Sequence, residues 1–166
     1  MAAPFCLRLA QTLGRRKMVT PDLSISTHDE YPPVERALVD QGLGEFNGAA
    51  APFHEVQAIS CFARNPAGQV IGGAVGRRWG ACCELQQLWV ESAHRRQGVG
   101  STLIRSFEFH AGSHGCTSFY LETFSFQAPS LYIGLGYKVE YERTVYPHSI
   151  VKYHMGKQVS DGASAA

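Results

Sequence analysis

Long apolar runs are missing from this chain of 166 residues. None approaches the ~20 residues that a membrane-spanning helix needs, so no membrane partner is expected. A strong charge of either sign is missing too. Fifteen Lys and Arg against 14 Asp and Glu leave a net charge of +1. That balance removes the electrostatic case for nucleic acid or a membrane surface. Charged residues are only 17% of the chain and hydrophobic residues 45%, which fits a soluble globular protein and excludes a disordered one. Internal repeats and internal linkers are also absent, and the length suits one domain with a real core.

A complete set of metal ligands is lacking. His110-x-x-x-His114-x-Cys116 has a plausible spacing, but Gly112 and Gly115 should end a helix there, and nothing supplies a fourth ligand. No metal is therefore expected. The five cysteines (Cys6, Cys61, Cys82, Cys83 and Cys116) are odd in number and irregularly spaced, which reads as reduced thiols. Residues 1–17 lack any acid while holding Arg8, Arg15, Arg16 and Lys17; the remainder carries 11 basic and 14 acidic residues, a net −3. Such a start can be a mitochondrial presequence. It is poor in Ser, however, and Met18 is a second possible start. The main reading is a basic tail over residues 1–19 on a cytoplasmic protein, with targeting the minor alternative. A domain over 20–157 and a disordered tail over 158–166 complete the expected layout.

Within that domain, Leu23-Ser-Ile-Ser26 reads as a short strand. Pro32-Pro33 can open a helix that stops at Gln41-Gly42. Gly44 to Phe53 reads as a loop or weak helix. Val56–Asn65 and Val70–Trp79 alternate as a hairpin about the Asn65-Pro-Ala-Gly68 turn. Gly72-Gly73 marks a bulge or a close backbone contact. Further strands are expected over Ala81–Val90, Ser118–Phe124, Tyr137–Tyr146 and Ile150–Lys157. Helices are expected from Gly100 to about Ala111 and from Ser130 to Leu135.

What organises the chain is Arg95-Arg96-Gln97-Gly98-Val99-Gly100-Ser101. It follows the β-prone Leu88-Trp89-Val90. It opens a helical pattern in which Val99, Leu103, Phe107 and Ala111 share a face, with Ile104 beside them. The opening amides of a helix lack intrahelical partners and attract anions. Gly98 and Gly100 let a phosphate approach the backbone, and two arginines add cationic donors. A P-loop is excluded because Gly100 is followed by Ser-Thr without the Lys. A dinucleotide fingerprint is excluded because its third small residue is Leu103.

Downstream stands Ala128-Pro-Ser-Leu-Tyr132-Ile-Gly-Leu-Gly136-Tyr137, preceded by Leu121-Glu-Thr-Phe-Ser-Phe-Gln127. Together with Arg-x-x-Gly-x-Gly, these stretches resemble the Gcn5-related N-acetyltransferase (GNAT) superfamily over roughly residues 20 to 157, in its bacterial small-molecule branch. One departure is Ser125, which stands where many members carry Asn. The resemblance implies an α/β fold: a mixed, mostly antiparallel sheet with helices on both faces, splayed between the strands ending at Val90 and Thr123. It implies acetyl-CoA as co-substrate, held by Arg95 to Ser101, by the strand edge at Leu88, Trp89 and Val90, and near Ser125. It also places an oxyanion-binding amide around Trp89 or Val90 and makes Tyr132 the acid beside the sulfur. Many members pair through C-terminal strands, so a homodimer is a further expectation.

Transfer of an acetyl group to an amine also needs a proton acceptor. Glu84 is the first choice. It lies six residues before Val90 and fourteen before Gly98, the spacing of the catalytic glutamate in histone-type members. Period-2 alternation would put Glu84, Gln86, Leu88 and Val90 on one face. An ordered water or His54 are alternatives. Phe46, Asn47, Phe53, His54, His148 and Ser149 are acceptor-side candidates, each equally readable as packing or surface. The expected activity is acetyl transfer to a primary amine of a small molecule by direct attack in a ternary complex. A non-catalytic CoA-binding module, a protein N-acetyltransferase and a nucleotide-phosphate binder of another fold are the competing readings.

Overall fold

The structure, a computed structural model, describes residues 23–159. Residues 1–22 and 160–166, with the expected basic tail and most of the expected disordered tail, lie outside them. The described residues divide into two units after Gly44. In the first, residues 23–28 have no regular structure, so the strand expected at Leu23–Ser26 is not formed. No described strand pairs with it, and an isolated strand leaves its amides and carbonyls without partners. Helix α1 (Pro33–Ala50) opens at the expected proline but runs past Gly42 and Gly44 to the unit boundary and beyond. Glycine inside a helix costs only about 1 kcal/mol relative to alanine, so Gly42, Gly44 and Gly48 did not end it.

The second unit is built on six strands: β1 (Gln57–Arg64), β2 (Val70–Trp79), β3 (Cys82–Val90), β4 (Ser118–Phe124), β5 (Lys138–Arg143) and β6 (Lys152–Gln158). They lie in the order β1-β2-β3-β4-β6-β5. All neighbours are antiparallel except β3 and β4, which are joined through helix α2 (Val99–Gly112). A parallel pair needs such a crossover. Helix α3 (Pro129–Gly134) follows β4, with Pro129 in its first turn, where a missing N–H is harmless.

Leu103, Ile104, Phe107 and Ala111 of α2 are buried, and Val99 packs beside them, which is the stripe expected from the sequence. They meet Ala74, Leu85, Phe119, Leu121 and Met155 from the sheet. Each large apolar side chain of this kind stabilises the fold by about 1.5–3 kcal/mol when fully buried.

Two irregularities in β3 shape everything that follows. The first is a bulge. Val75 lies opposite Gln87 and Gly76 opposite Leu85, so Gln86 is an extra residue with no partner position on β2. Gly76 permits it, since a Cβ there would stand 1.9 Å from the Glu84 carbonyl oxygen. The bulge resets the alternation. Cys83 and Leu85 before it, and Leu88 and Val90 after it, pair with β2 positions that face α2; Glu84, Gln87 and Trp89 face the opposite side. The expectation that Glu84 shares a face with Leu88 and Val90 is thereby corrected. The second irregularity is a fork. β3 pairs with β4 only from Cys82 to Leu85 and from Ser118 to Leu121. Beyond that point the two strands part, as the splayed sheet requires.

Candidate active site

The fork opens into a cavity of about 780 Å³. One wall is β3 from Gln86 to Val90; the other is Glu122 and Thr123 of β4 with Phe126 to Ala128. Arg95, Arg96, Gly98, Gly100 and Ser101 line one part of it, and Leu131 and Tyr132 of α3 line another. Most residues singled out in the sequence therefore meet around one space. Gln97 and Val99 are not on the wall. Gln97 ties the loop to itself through its side-chain amide and the Ala93 carbonyl at 2.9 Å, and Val99 packs into the core.

The loop is shaped for an anion. Arg96 has φ 59° and Gly98 φ 83°, two left-handed residues close together that turn the chain sharply into α2. At Gly98, the helix N-cap, no side chain caps the helix. The first intrahelical bond is Thr102 N–H to Gly98 O at 3.0 Å, so the amides of Val99, Gly100 and Ser101 precede it. Such amides, with the helix dipole behind them, favour phosphate oxygens. Arg95 Nε donates to the Val90 carbonyl at 2.8 Å, which fastens the loop to the end of β3.

The edge of β3 inside the cavity offers backbone groups. Glu91 N–H donates to Ile71 O at 2.9 Å. Alternation along an antiparallel pair then turns the Trp89 amide toward β2 and the amides of Leu88 and Val90 toward the fork. The Val90 carbonyl, taken by Arg95, lies on that same edge. Of the two amides expected near the oxyanion, Val90 faces the open side and Trp89 does not; Leu88, whose amide was not singled out, does.

Tyr132 is buried, and its ring meets Tyr137 edge-on at 5.9 Å. Burial pushes its phenol above the ordinary tyrosine value, which keeps the hydroxyl protonated and able to donate. Ser125 is not on the cavity wall. Its N–H donates to Val151 O at 2.8 Å and its hydroxyl accepts from Val151 N–H at 3.1 Å, so it joins β4 to the segment before β6. Gln127 holds the wall instead: its Oε1 accepts from Phe124 N–H at 2.8 Å and Thr123 Oγ1 at 3.0 Å.

Glu84 lies elsewhere. It lines a second cavity of about 260 Å³ with Phe53, Val56, Arg77, Trp79 and Tyr120. Its Oε2 accepts from Arg77 Nε at 2.6 Å and Gln86 Nε2 at 3.3 Å. Phe53 meets Trp79 edge-on at 5.4 Å, while His54 stands beside it on a short 3-10 turn. Phe46 and Asn47 fall within α1. His148 and Ser149 sit in a turn with φ 57° and 56°. His110 and His114 stack edge-on at 5.0 Å, while the buried Cys116 thiol faces the carbonyls of Gly80 and Cys82. Among the described residues, no helix is long and apolar enough to cross a membrane.

Glu122 had no role in the sequence reading, although the alternation of β4 would have found it as the one acid on that strand. It lines the large cavity and is paired with Lys152 and with His154, whose Nδ1 lies 3.0 Å from Glu122 Oε1.

Comparison with known proteins fits this geometry. Residues 24–137 match the model of the acetyltransferase (GNAT) family. The chain belongs to that family. A blasticidin-S acetyltransferase from Streptomyces morookaense is 31% identical over 135 residues, covering 81% of this chain and 94% of that protein. This GNAT protein is thus an acyl-CoA-dependent acetyltransferase. An acetyltransferase from Bacillus cereus shares its fold, with a TM-score of 0.68 at 23% identity over 81% of this chain and 98% of the other. So does a candidate streptothricin acetyltransferase from Bacillus anthracis, solved in complex with acetyl coenzyme A. Its TM-score is 0.54 at 20% identity over 61% and 62% of the two chains.

Proposed function

We propose that this acetyltransferase moves an acetyl group from acetyl-CoA to a primary amine of a small molecule by direct attack in a ternary complex. The observation that carries the reading is the fork beyond Leu85 and Leu121, with an anion-binding helix start and Tyr132 on the wall of one cavity. A cofactor with a phosphate-bearing end and a thioester-bearing arm fits such a space. The α2 amides, Arg95 and Arg96 would hold the pyrophosphate. The open edge at Leu88 and Val90 would pair with the amides of the arm, as an added strand does. When bound, acetyl-CoA supplies an activated acyl group with a thiolate as leaving group.

The chain's own groups then do the rest. The Leu88 or Val90 N–H is aimed where negative charge develops on the thioester oxygen. The Tyr132 hydroxyl donates its proton to the departing sulfur. Glu84, already engaged by Arg77, lines the smaller cavity, apart from the fork and from Tyr132. The small-molecule acceptor is supported by the likeness to a blasticidin-S acetyltransferase over most of both chains.

The test is calorimetric titration of acetyl-CoA, followed by thiol release with blasticidin S and streptothricin as acceptors. Micromolar acetyl-CoA binding and acceptor-dependent release are expected. Binding without release to either compound overturns the acceptor class. No binding overturns the assignment of the fork.

A further inference from the structure

Glu84 and Glu122 project from the same side of the sheet. Glu84 pairs with Tyr120 in the β3–β4 register, and Tyr120 and Glu122 are two apart on β4. Their settings differ. Glu84 lies in the closed part of the pair and outside the large cavity. Glu122 is the first residue of β4 past the last paired position, Leu121, at the apex of the fork, and it lines the cavity that also holds Tyr132. Its side chain is 43% exposed, so a solute can reach it.

The carboxylate is held from β6. Glu122 stands opposite His154 in the β4–β6 register, and Phe124 opposite Lys152. Lys152 Nζ bonds Oε2, and His154 Nδ1 bonds Oε1 at 3.0 Å. The other ring nitrogen, Nε2, is buried without a partner, and the imidazole lies against the Tyr141 ring of β5, with 5.5 Å between ring centroids and a tilt of 60°. A proton on Nε2 would be a buried donor with nothing to bond, so the neutral ring keeps its proton on Nδ1, directed at Glu122. Each carboxylate oxygen has two lone pairs. One on each is used, which leaves one on each for an incoming amine.

We propose that Glu122 is the group that binds the acceptor's ammonium and takes its proton, and that His154 is a positioning residue that fixes the carboxylate. This rests on the acetyl-transfer reading above. The ammonium donates to Glu122, and one proton passes from nitrogen to the carboxylate and on to water. The freed lone pair forms the C–N bond at the thioester carbon. The C–S bond breaks as the second proton passes from nitrogen to water, and Tyr132 protonates the sulfur and is reprotonated from water. The products are the amide, the free thiol and one released proton, so charge and atoms balance.

The experiment compares Glu122→Gln with Glu84→Gln, using blasticidin S as acceptor and acetyl-CoA titration as a control for folding and cofactor binding. Glu122→Gln is expected to lower kcat by ~10²-fold or more, the range for a lost general base, with acetyl-CoA affinity kept. Glu84→Gln should change kcat by less than about threefold on the same reasoning, since an amide still accepts from Arg77. The reverse order of losses, or a Glu122→Gln enzyme within threefold of the wild type, overturns the proposal. His154→Asn, whose amide can stand in for Nδ1–H, should keep most of kcat, whereas His154→Phe should lose it with KM for acetyl-CoA unchanged.

If the wild type transfers to no acceptor, the acetyl-transfer reading fails on its own. The pair is then decided without a substrate, by ¹⁵N spectra of His154 at alkaline pH. The Nδ1–H tautomer in the wild type supports it. The Nε2–H tautomer in the wild type overturns it.

Discussion

The two halves of the β3–β4 pair are made of the same backbone and do opposite work. From Cys82 to Leu85, β3 is bonded on both sides, and its α2-facing residues, Cys83 and Leu85, are buried in the core. Past the bulge, from Gln87 to Val90, it is bonded only to β2, and its free edge faces the cavity. β4 divides at the same level: Ser118 to Leu121 pair with both β3 and β6, while Glu122 to Phe124 pair with β6 alone, and Glu122 is held there by Lys152 and His154. One extra residue, Gln86, separates the halves. A sheet stays closed where each peptide group has a partner on the next strand. It becomes a site where a bulge bends one strand away and the unpaired groups must find partners in a ligand.

The closed half should carry stability, and it gives the largest effect. Leu121→Ala removes a side chain that is 1% exposed at the last paired position. We expect a loss of about 2–5 kcal/mol, read as a lower urea midpoint, because a cavity remains beside Phe107 and Met155. The acetyl-CoA affinity of the folded fraction should change little. A mutant of normal stability with weakened binding would erase the distinction between the halves.

The open half should respond the other way. Gly98→Val puts a β-branched side chain at φ 83°, where no neighbour lies within 4 Å of the added Cβ. The strain in a left-handed residue is about 1–2 kcal/mol, a modest shift in melting temperature. The same side chain would stand where a pyrophosphate must approach the α2 amides. Acetyl-CoA binding should fall by roughly a hundredfold, about 2.7 kcal/mol. Equal affinity in calorimetry would remove the loop from the cofactor site.

How far this division could be read in advance depends on its range along the chain. Val70–Trp79 and Ser118–Phe124 have the boundaries expected from alternation and turn residues, because those signals are local. The glycine loop was likewise legible, since Gly98 and Gly100 answer a need of the adjacent helix start. The bulge was not. Alternation cannot register an inserted residue until the partner strand is in view, so Glu84 was placed on the wrong face. Glu122 was missed for a related reason: its partners Lys152 and His154 lie some thirty residues away and become neighbours only when β6 pairs with β4. Ser125 drew attention through the motif around it, yet its hydroxyl serves Val151.

A smaller effect tests the acid in the open half. Tyr132→Phe keeps the ring that packs on Tyr137 and removes the hydroxyl. We expect kcat to fall about 10- to 100-fold with KM for acetyl-CoA unchanged. Because burial raises the phenol above its ordinary value, the wild-type rate should not decline through Tyr132 ionisation below about pH 10. An alkaline decline at lower pH that vanishes in Tyr132→Phe would show the phenol to be ordinary, and the burial argument would fail.

The smallest expected effect returns to the closed half. Cys83 is 1% exposed, and burial, with smaller contributions from Cys116 and Cys82, pushes its thiol from 9.0 up to about 12. The folded chain therefore holds this proton at a pH where the unfolded chain has released it. Where the folded state binds more protons than the unfolded one, stability falls as pH rises. The contribution is complete below about pH 9 and is lost progressively toward pH 12. Cys83→Ala should be less stable than the wild type at neutral pH, because it leaves a small void, but its stability should decline less steeply above pH 9. The gap between the two urea midpoints should narrow from pH 8 to pH 11. Tyr137, also raised by burial, titrates in both proteins and cancels in the comparison. A gap that stays constant would mean that the thiol ionises as readily in the fold as outside it, and that water reaches the closed half of the pair as it reaches the open one.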